Sequence, residues 1–180
     1  QIKTVNTNPE DIKYVIQTHL HLDHSGAIGH FPNATHITQR LEYDYAFNPD
    51  WFSQPAYIRD DFDKPNIRWK FLQGRKTDFY DVHGDGVIKI IFTPGHTPGH
   101  QSVLVNLPKT GHMLFTGDAC YTEDHWCDKC LPGLVASSSD AAESVSKLRK
   151  VAKEHDATVV WGHDPISWKI WKKAPMFYYD

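Results

Sequence analysis

Residues 12–18, IKYVIQT, make a near-continuous β-prone run of the kind that a strand buried on both faces presents. Short runs of similar character recur at 34–38 (ATHIT), 87–93 (VIKIIFT), 101–107 (QSVLVNL), 112–118 (HMLFTGD) and 157–164 (ATVVWGHD). Helical spacing is clearest over 140–155, where Ala141, Val145, Leu148 and Ala152 fall on one apolar stripe. Asp140 is the expected cap of that helix, with Glu143 completing a capping box. A second helix is expected over RLEYDYAF from Arg40, and a short one opening at Ser25. Residues 48–65, rich in proline, aspartate and aromatics, read as a long loop or lid with little regular structure. No repeat, low-complexity tract or linker interrupts the pattern, so residues 1–180 read as one domain of layered α/β (α+β) class.

Composition narrows the functional classes. A chain of 180 residues with 40% hydrophobic and 23% charged residues can bury a core of its own. Its net charge is −3 and no basic run exceeds two residues, which argues against a nucleic-acid or anionic-membrane partner. No apolar run approaches a transmembrane span, and no signal-peptide pattern opens the sequence; with only three cysteines, a reducing cytoplasm is the expected location. Histidine is the outlier, with twelve residues, several in tight clusters.

The densest cluster is THLHLDHSG, residues 18–26. In an extended strand His19, His21 and Asp23 would share one face, with Leu20 and Leu22 turned to the core and His24 at the strand's end. Two imidazoles at i and i+2 can grip one metal ion, and Asp23 and His24 are placed to reach a second beside it. Three more candidate ligands stand at expected strand ends: His96 in TPGHTPGH (93–100), Asp118 in FTGDA (115–119) and His163 in WGHD (161–164). Donors from separate strand ends converging on one sheet edge are how α/β folds build sites. His100 is expected to hydrogen-bond within its loop rather than to bind metal.

HLHLDH, TPGHTPGH, TGDA and GHD, in this order, resemble the metallo-β-lactamase superfamily. That resemblance implies an αβ/βα four-layer sandwich. It also implies His19, His21 and His96 on one ion, Asp23, His24 and His163 on another, and Asp118 bridging the two. Zinc is the expected metal, with iron, manganese and cobalt as alternatives. Because only eighteen residues precede His19, where relatives carry a longer segment, the fold is expected to lack its N-terminal strands. GDACYT (117–122) resembles the aspartate-x-x-tyrosine arrangement of the N-acyl homoserine lactone lactonases, which implies a small lactone substrate, attack by a metal-bound hydroxide, and Tyr121 as a donor to the developing oxyanion or leaving alkoxide. Asp23 is the expected proton shuttle. Gly117 and Cys120 depart from the isoleucine and serine common there, which loosens any expectation about substrate preference. The competing readings are a glyoxalase II-like thioesterase and a metal-binding but catalytically silent protein. Oligomeric state stays open, a homodimer being one option.

Other features carry less. Cys127 and Cys130 have zinc-knuckle spacing but no second pair, so a plain loop is expected. Trp51, Phe52, Tyr57, Trp69 and Trp126 are candidates for lining an acyl-chain groove. The tail WKIWKKAPMFYYD is expected to be a packed amphipathic end.

Overall fold

The computed structural model describes residues 2–180, which form two β-sheets with helices outside each. The smaller sheet is parallel, in order β1 (Tyr14–Ile16), β2 (Thr35–Gln39) and β3 (Arg68–Leu72). The larger runs β4 (Phe79–Asp81), β5 (Ile88–Phe92), β6 (Gln101–Leu107), β7 (Gly111–Phe115) and β8 (Thr158–Val160). Its neighbours are antiparallel until β8, which lies parallel to β7. The helices are α1 (Leu22–Ser25), α2 (Arg40–Phe47), α3 (Arg59–Phe62), α4 (Glu123–Trp126), α5 (Ser138–Glu154) and α6 (Pro165–Ile170).

Side-chain alternation along the strands sorts the core into layers. In β5, Ile90 packs with Ile37 of β2 and Leu72 of β3, between the sheets. Its neighbour Ile91 faces the other way, onto Leu148, Val151 and Ala152 of α5. Trp69 of β3 likewise turns outward, joining Ala46 of α2 and Phe62 of α3 around Leu20 and Ile28. The stack is therefore helix, sheet, sheet, helix. Each fully buried leucine or isoleucine in it contributes about 1.5–3 kcal/mol relative to exposure. The sheets are unequal. Opposite β6–β8 no strand stands among the described residues; a cleft of about 860 Å³ opens there, walled by Val105, Met113, Phe115, Val160 and the C-terminal segment. None of the helices described is long and apolar enough to cross a membrane.

Several expectations need correction. β1 stops at Ile16, and Leu22–Ser25 is a helical turn with His21 at its N-cap, so the extended alternation through Asp23 does not occur. Leu20 is buried as expected, but Leu22 is 46% exposed. Ser25 ends that helix rather than opening one. The long helix begins earlier, at Ser138, because Ser137 accepts from the Asp140 N–H and is the actual cap. Its stripe of Ala141, Val145, Leu148 and Ala152 is buried. The 48–65 segment holds a 3-10 turn at Gln54–Ala56 and α3. β3 and β4 had no counterpart among the strands expected from the sequence. The tail is packed only in part: Trp171 and Tyr179 meet edge-on and the Thr110 N–H donates to Asp180 O, but Ile170 and Met176 are at least three-quarters exposed.

Candidate metal centre

Every segment bearing a candidate ligand reaches the same edge. β5 delivers the 93–100 loop, β7 delivers Asp118, β8 delivers His163, and the chain leaving β1 delivers His19 to His24. Gln101 stitches this edge across the sheets. Its backbone N–H donates to Thr18 O at 2.9 Å, and its side chain donates to Gln17 O at 2.8 Å and Ile37 O at 3.1 Å. Gln39 Nε2 in turn donates to Gln101 Oε1 at 2.8 Å.

The donor atoms divide into two neighbouring clusters. His96 Nε2 lies 3.0 Å from His21 Nδ1 and 3.3 Å from Asp118 Oδ2, which is also 3.8 Å from His19 Nε2. On the other side His24 Nε2 and His163 Nε2 lie 3.3 Å and 3.2 Å from Asp118 Oδ1. Those same two nitrogens are 3.4 Å and 3.5 Å from Asp23 Oδ2. Groups His19/His21/His96, His19/His24/Asp118 and Asp23/His24/His163 each bring their ligand atoms within 4.8 Å of one another. Donors about 2.1 Å from a tetrahedral ion stand about 3.4 Å apart, so the observed spacings are those of a coordination shell. His19 Nε2, His24 Nε2 and Asp118 Oδ1 are buried without a hydrogen-bond partner, as atoms held for a cation would be. The donor set of imidazoles and carboxylates suits two divalent ions, zinc among them.

The rings are aimed from behind. His96 Nδ1 lies 2.7 Å from Leu134 O, which can only accept, so Nδ1 carries the proton and Nε2 presents a lone pair to the cluster. The Thr18 hydroxyl touches both His19 Nδ1, at 3.1 Å, and His24 Nδ1, at 3.4 Å. His100 behaves as the sequence suggested, bonding within its loop to Thr93. It also does something the sequence did not suggest: its Nε2 accepts the Asp118 backbone N–H at 2.9 Å. These roles of Thr18 and His100 gave no spacing signal, because the Thr18–His24 and His100–Asp118 contacts exist only once the chain has folded.

Burial pushes His19 well below the usual imidazole range and His21 down to about 4, so both present neutral lone pairs near pH 7. His96 is lowered by the same cause. Burial works against the charge of His24, but the Asp118 and Asp23 carboxylates beside it prevail and raise its pKa. Burial would likewise neutralise Asp118, yet His24 and the neighbouring imidazoles hold it below the ordinary carboxylate range. Tyr121 Oη stands 3.3 Å from His96 Nδ1, its ring edge-on to His163. Burial, then the charges of Asp118 and Asp23, raise its pKa, so it stays a phenol.

The two sides differ in access. His19, His21 and His96 are buried, whereas the Asp23 and His163 side chains are 48% and 43% exposed, and His163 also borders the 860 Å³ cleft. None of Trp51, Phe52, Tyr57, Trp69 or Trp126 lines that cleft. Trp51 lies in solvent, and Tyr57 and Trp69 pack around the Leu20 core. Cys120 is buried, its thiol pushed up to about 12, and all three cysteines are free.

The profile of the metallo-β-lactamase superfamily matches residues 2–163. The N-acyl homoserine lactonase AttM of Rhizobium radiobacter is 62% identical over 178 residues, covering 99% of this chain and 68% of that protein. An N-acyl homoserine lactonase of Bacillus cereus is 36% identical over 163 residues, or 91% of this chain and 60% of its own. Among solved structures, an N-acyl homoserine lactone hydrolase with N-hexanoyl-L-homoserine bound at its catalytic metal centre superposes with a TM-score of 0.83 at 32% identity. It is matched over 96% of this chain and 64% of its own. The chain thus spans about two thirds of the length of these relatives. By profile, identity and superposition together, the chain belongs to the metallo-β-lactamase superfamily and, within it, to the N-acyl homoserine lactonase subfamily.

Proposed function

We propose that this chain carries the reaction centre of a hydrolase that opens the lactone ring of N-acyl homoserine lactones, or of a related γ-lactone, to the hydroxy acid. The observation that carries the reading is the split of Asp118, one carboxylate oxygen toward His19 and His96 and the other toward His24 and His163. In this reading His19, His21 and His96 hold one divalent ion, Asp23, His24 and His163 hold the other, and Asp118 lies between them. When bound, such a pair supplies an activated water near neutral pH and a polarised substrate carbonyl.

The chain's own groups do the rest. Leu134 O and the Thr18 hydroxyl fix the ring orientations, so the ligand geometry is set before substrate arrives. Tyr121, held protonated, donates a hydrogen bond to the oxygen that gains charge as the carbonyl is attacked, or to the departing alkoxide. Asp23, on the exposed side beside His24 and His163, takes the proton of the attacking water in this reading and passes it to the ring oxygen. The names of the relatives support the lactone as substrate. We read residues 1–180 as part of a single domain. A cytoplasmic location fits three unpaired thiols.

The test loads purified protein with zinc, supplies N-hexanoyl homoserine lactone, and follows ring opening by proton release, with a thioester as competitor. Turnover that chelation abolishes and metal restores is expected. Metal-dependent hydrolysis of the thioester but not the lactone would transfer the reading to thioesterases.

A further inference from the structure

Glu42, on α2, is fully buried, and every donor it meets comes from a segment that bears on the three-histidine half of the centre. Its Oε1 accepts the Leu20 backbone N–H at 2.9 Å, and Leu20 sits between His19 and His21. The same oxygen accepts the Tyr57 hydroxyl at 3.1 Å, and the Tyr57 ring packs edge-on to His21 with centroids 4.6 Å apart. Its Oε2 accepts the hydroxyl of Thr97, the residue after His96. The Gly99 N–H is a further donor, and Gly99 lies against the backbone of α2 so closely that a Cβ would come 2.1 Å from Glu42 N. One carboxylate thus ties the His19–His21 segment to the His96 loop.

A buried carboxylate is costly unless a cation offsets its charge. Among the described residues no lysine, arginine or histidine forms an ion pair with Glu42. Burial raises the Glu42 pKa against the pull of its four donors; a cation held by His19, His21 and His96 would favour the charged form.

We infer that Glu42 is a positioning residue for that ion: it sets the separation of the two ligand-bearing loops and its negative charge is offset by the cation they share. The inference rests on the metal centre proposed above. Glu42→Gln keeps the size and an acceptor oxygen and removes the charge. With Co(II) as probe, His21→Ala and His163→Ala first assign the visible bands to the buried and the exposed cluster. Glu42→Gln is then expected to weaken the ion at the buried cluster about 10–100-fold in chelator competition. The exposed cluster should be unchanged, and Glu42→Asp should recover part of the loss. If Glu42→Gln does not fold, Tyr57→Phe, which leaves the carboxylate in place, should show a smaller loss confined to the same band. Wild-type affinity in both clusters, or an equal loss in both, would overturn the inference and leave Glu42 a fold residue. A wild-type protein that takes up no ion would instead bring down the metal-centre reading itself.

Discussion

The Asp118 backbone N–H donates to His100 Nε2 at 2.9 Å, which fixes a carboxylate that faces both clusters. Because that nitrogen accepts, the ring proton sits on Nδ1, where Thr93 O receives it at 3.1 Å. His100 is therefore held in one tautomer and carries Asp118 as a strut carries a load. His100→Phe keeps the ring volume and removes the acceptor. It should lower divalent-ion affinity about 10–100-fold in chelator competition, at a near-UV circular dichroism spectrum that still reports a folded protein. Unaltered affinity would show that Asp118 needs no such support.

Tyr121 makes a different kind of contribution, since its hydroxyl lies 3.3 Å from His96 Nδ1, on the opposite side of the ring from the Nε2 that faces the cluster. Tyr121→Phe should keep both ions and the thermal midpoint while kcat falls about 10²–10³-fold, the loss expected when one oxyanion donor is removed. Metal analysis and lactone turnover on the same sample decide it. A variant that loses metal in step with rate would mean the phenol holds the centre together instead.

The sequence was most informative where ligand identity did not depend on backbone shape. His19, His21, Asp23, His24, His96, Asp118 and His163 all reach one edge even though the expected strand through 18–24 is a loop and a helical turn. The turn succeeds where the strand would fail: with His21 as N-cap, Asp23 and His24 swing to the second cluster instead of staying in line with His19. Periodicity cannot see this, because a four-residue helix has too few positions to show a period. β3 and β4 escaped for a related reason. Their mixed charged and aromatic residues, RWKFL and FYD, do not read as a buried run, and the parallel pairing of β3 with β2 supplies the order instead. The Glu42–Thr97 hydrogen bond joins residues 55 positions apart, a separation at which no local pattern carries information.

Acid should destabilise the metal-free protein. His21 and His100 are pushed by burial from 6.5 to about 4 and about 3 in the folded state. Between those values and 6.5 the unfolded chain binds protons that the native one refuses, so stability falls as pH drops through that window and is level above it. His19 and His96 act in the same direction. His24, raised, acts oppositely, its contribution being present below 6.5 and lost as pH rises through its folded pKa. The lowered set outnumbers it, and a tenfold difference in proton affinity between the folded and unfolded chain corresponds to about 1.4 kcal/mol at most. Urea midpoints taken at about pH 7.5, 6 and 5 should decline stepwise. A midpoint that holds or rises on acidification would mean these imidazoles are not buried neutral.

Gly99 offers the sharpest steric test, because a Cβ there would meet backbone rather than a side chain that could rotate away. It would lie 2.1 Å from Glu42 N and 2.5 Å from Glu42 Cα. Relief requires α2 and the 93–100 loop to separate. Gly99→Ala should therefore destabilise by about 3 kcal/mol, the upper part of the range for forced overpacking. Gly84 is the control: its φ is +76°, but nothing lies within 4 Å of its Cβ position, so Gly84→Ala carries only a left-handed backbone penalty of about 1 kcal/mol. At roughly 2–4 °C per kcal/mol for a chain of this size, calorimetry should separate the two variants clearly. Ion affinity should fall with Gly99→Ala alone, since that loop carries His96 and the Gly84 turn carries no candidate ligand. Equal shifts in midpoint would mean that α2 and the loop are not locked together at this contact, and that the carboxylate beside it holds the two segments with slack to spare.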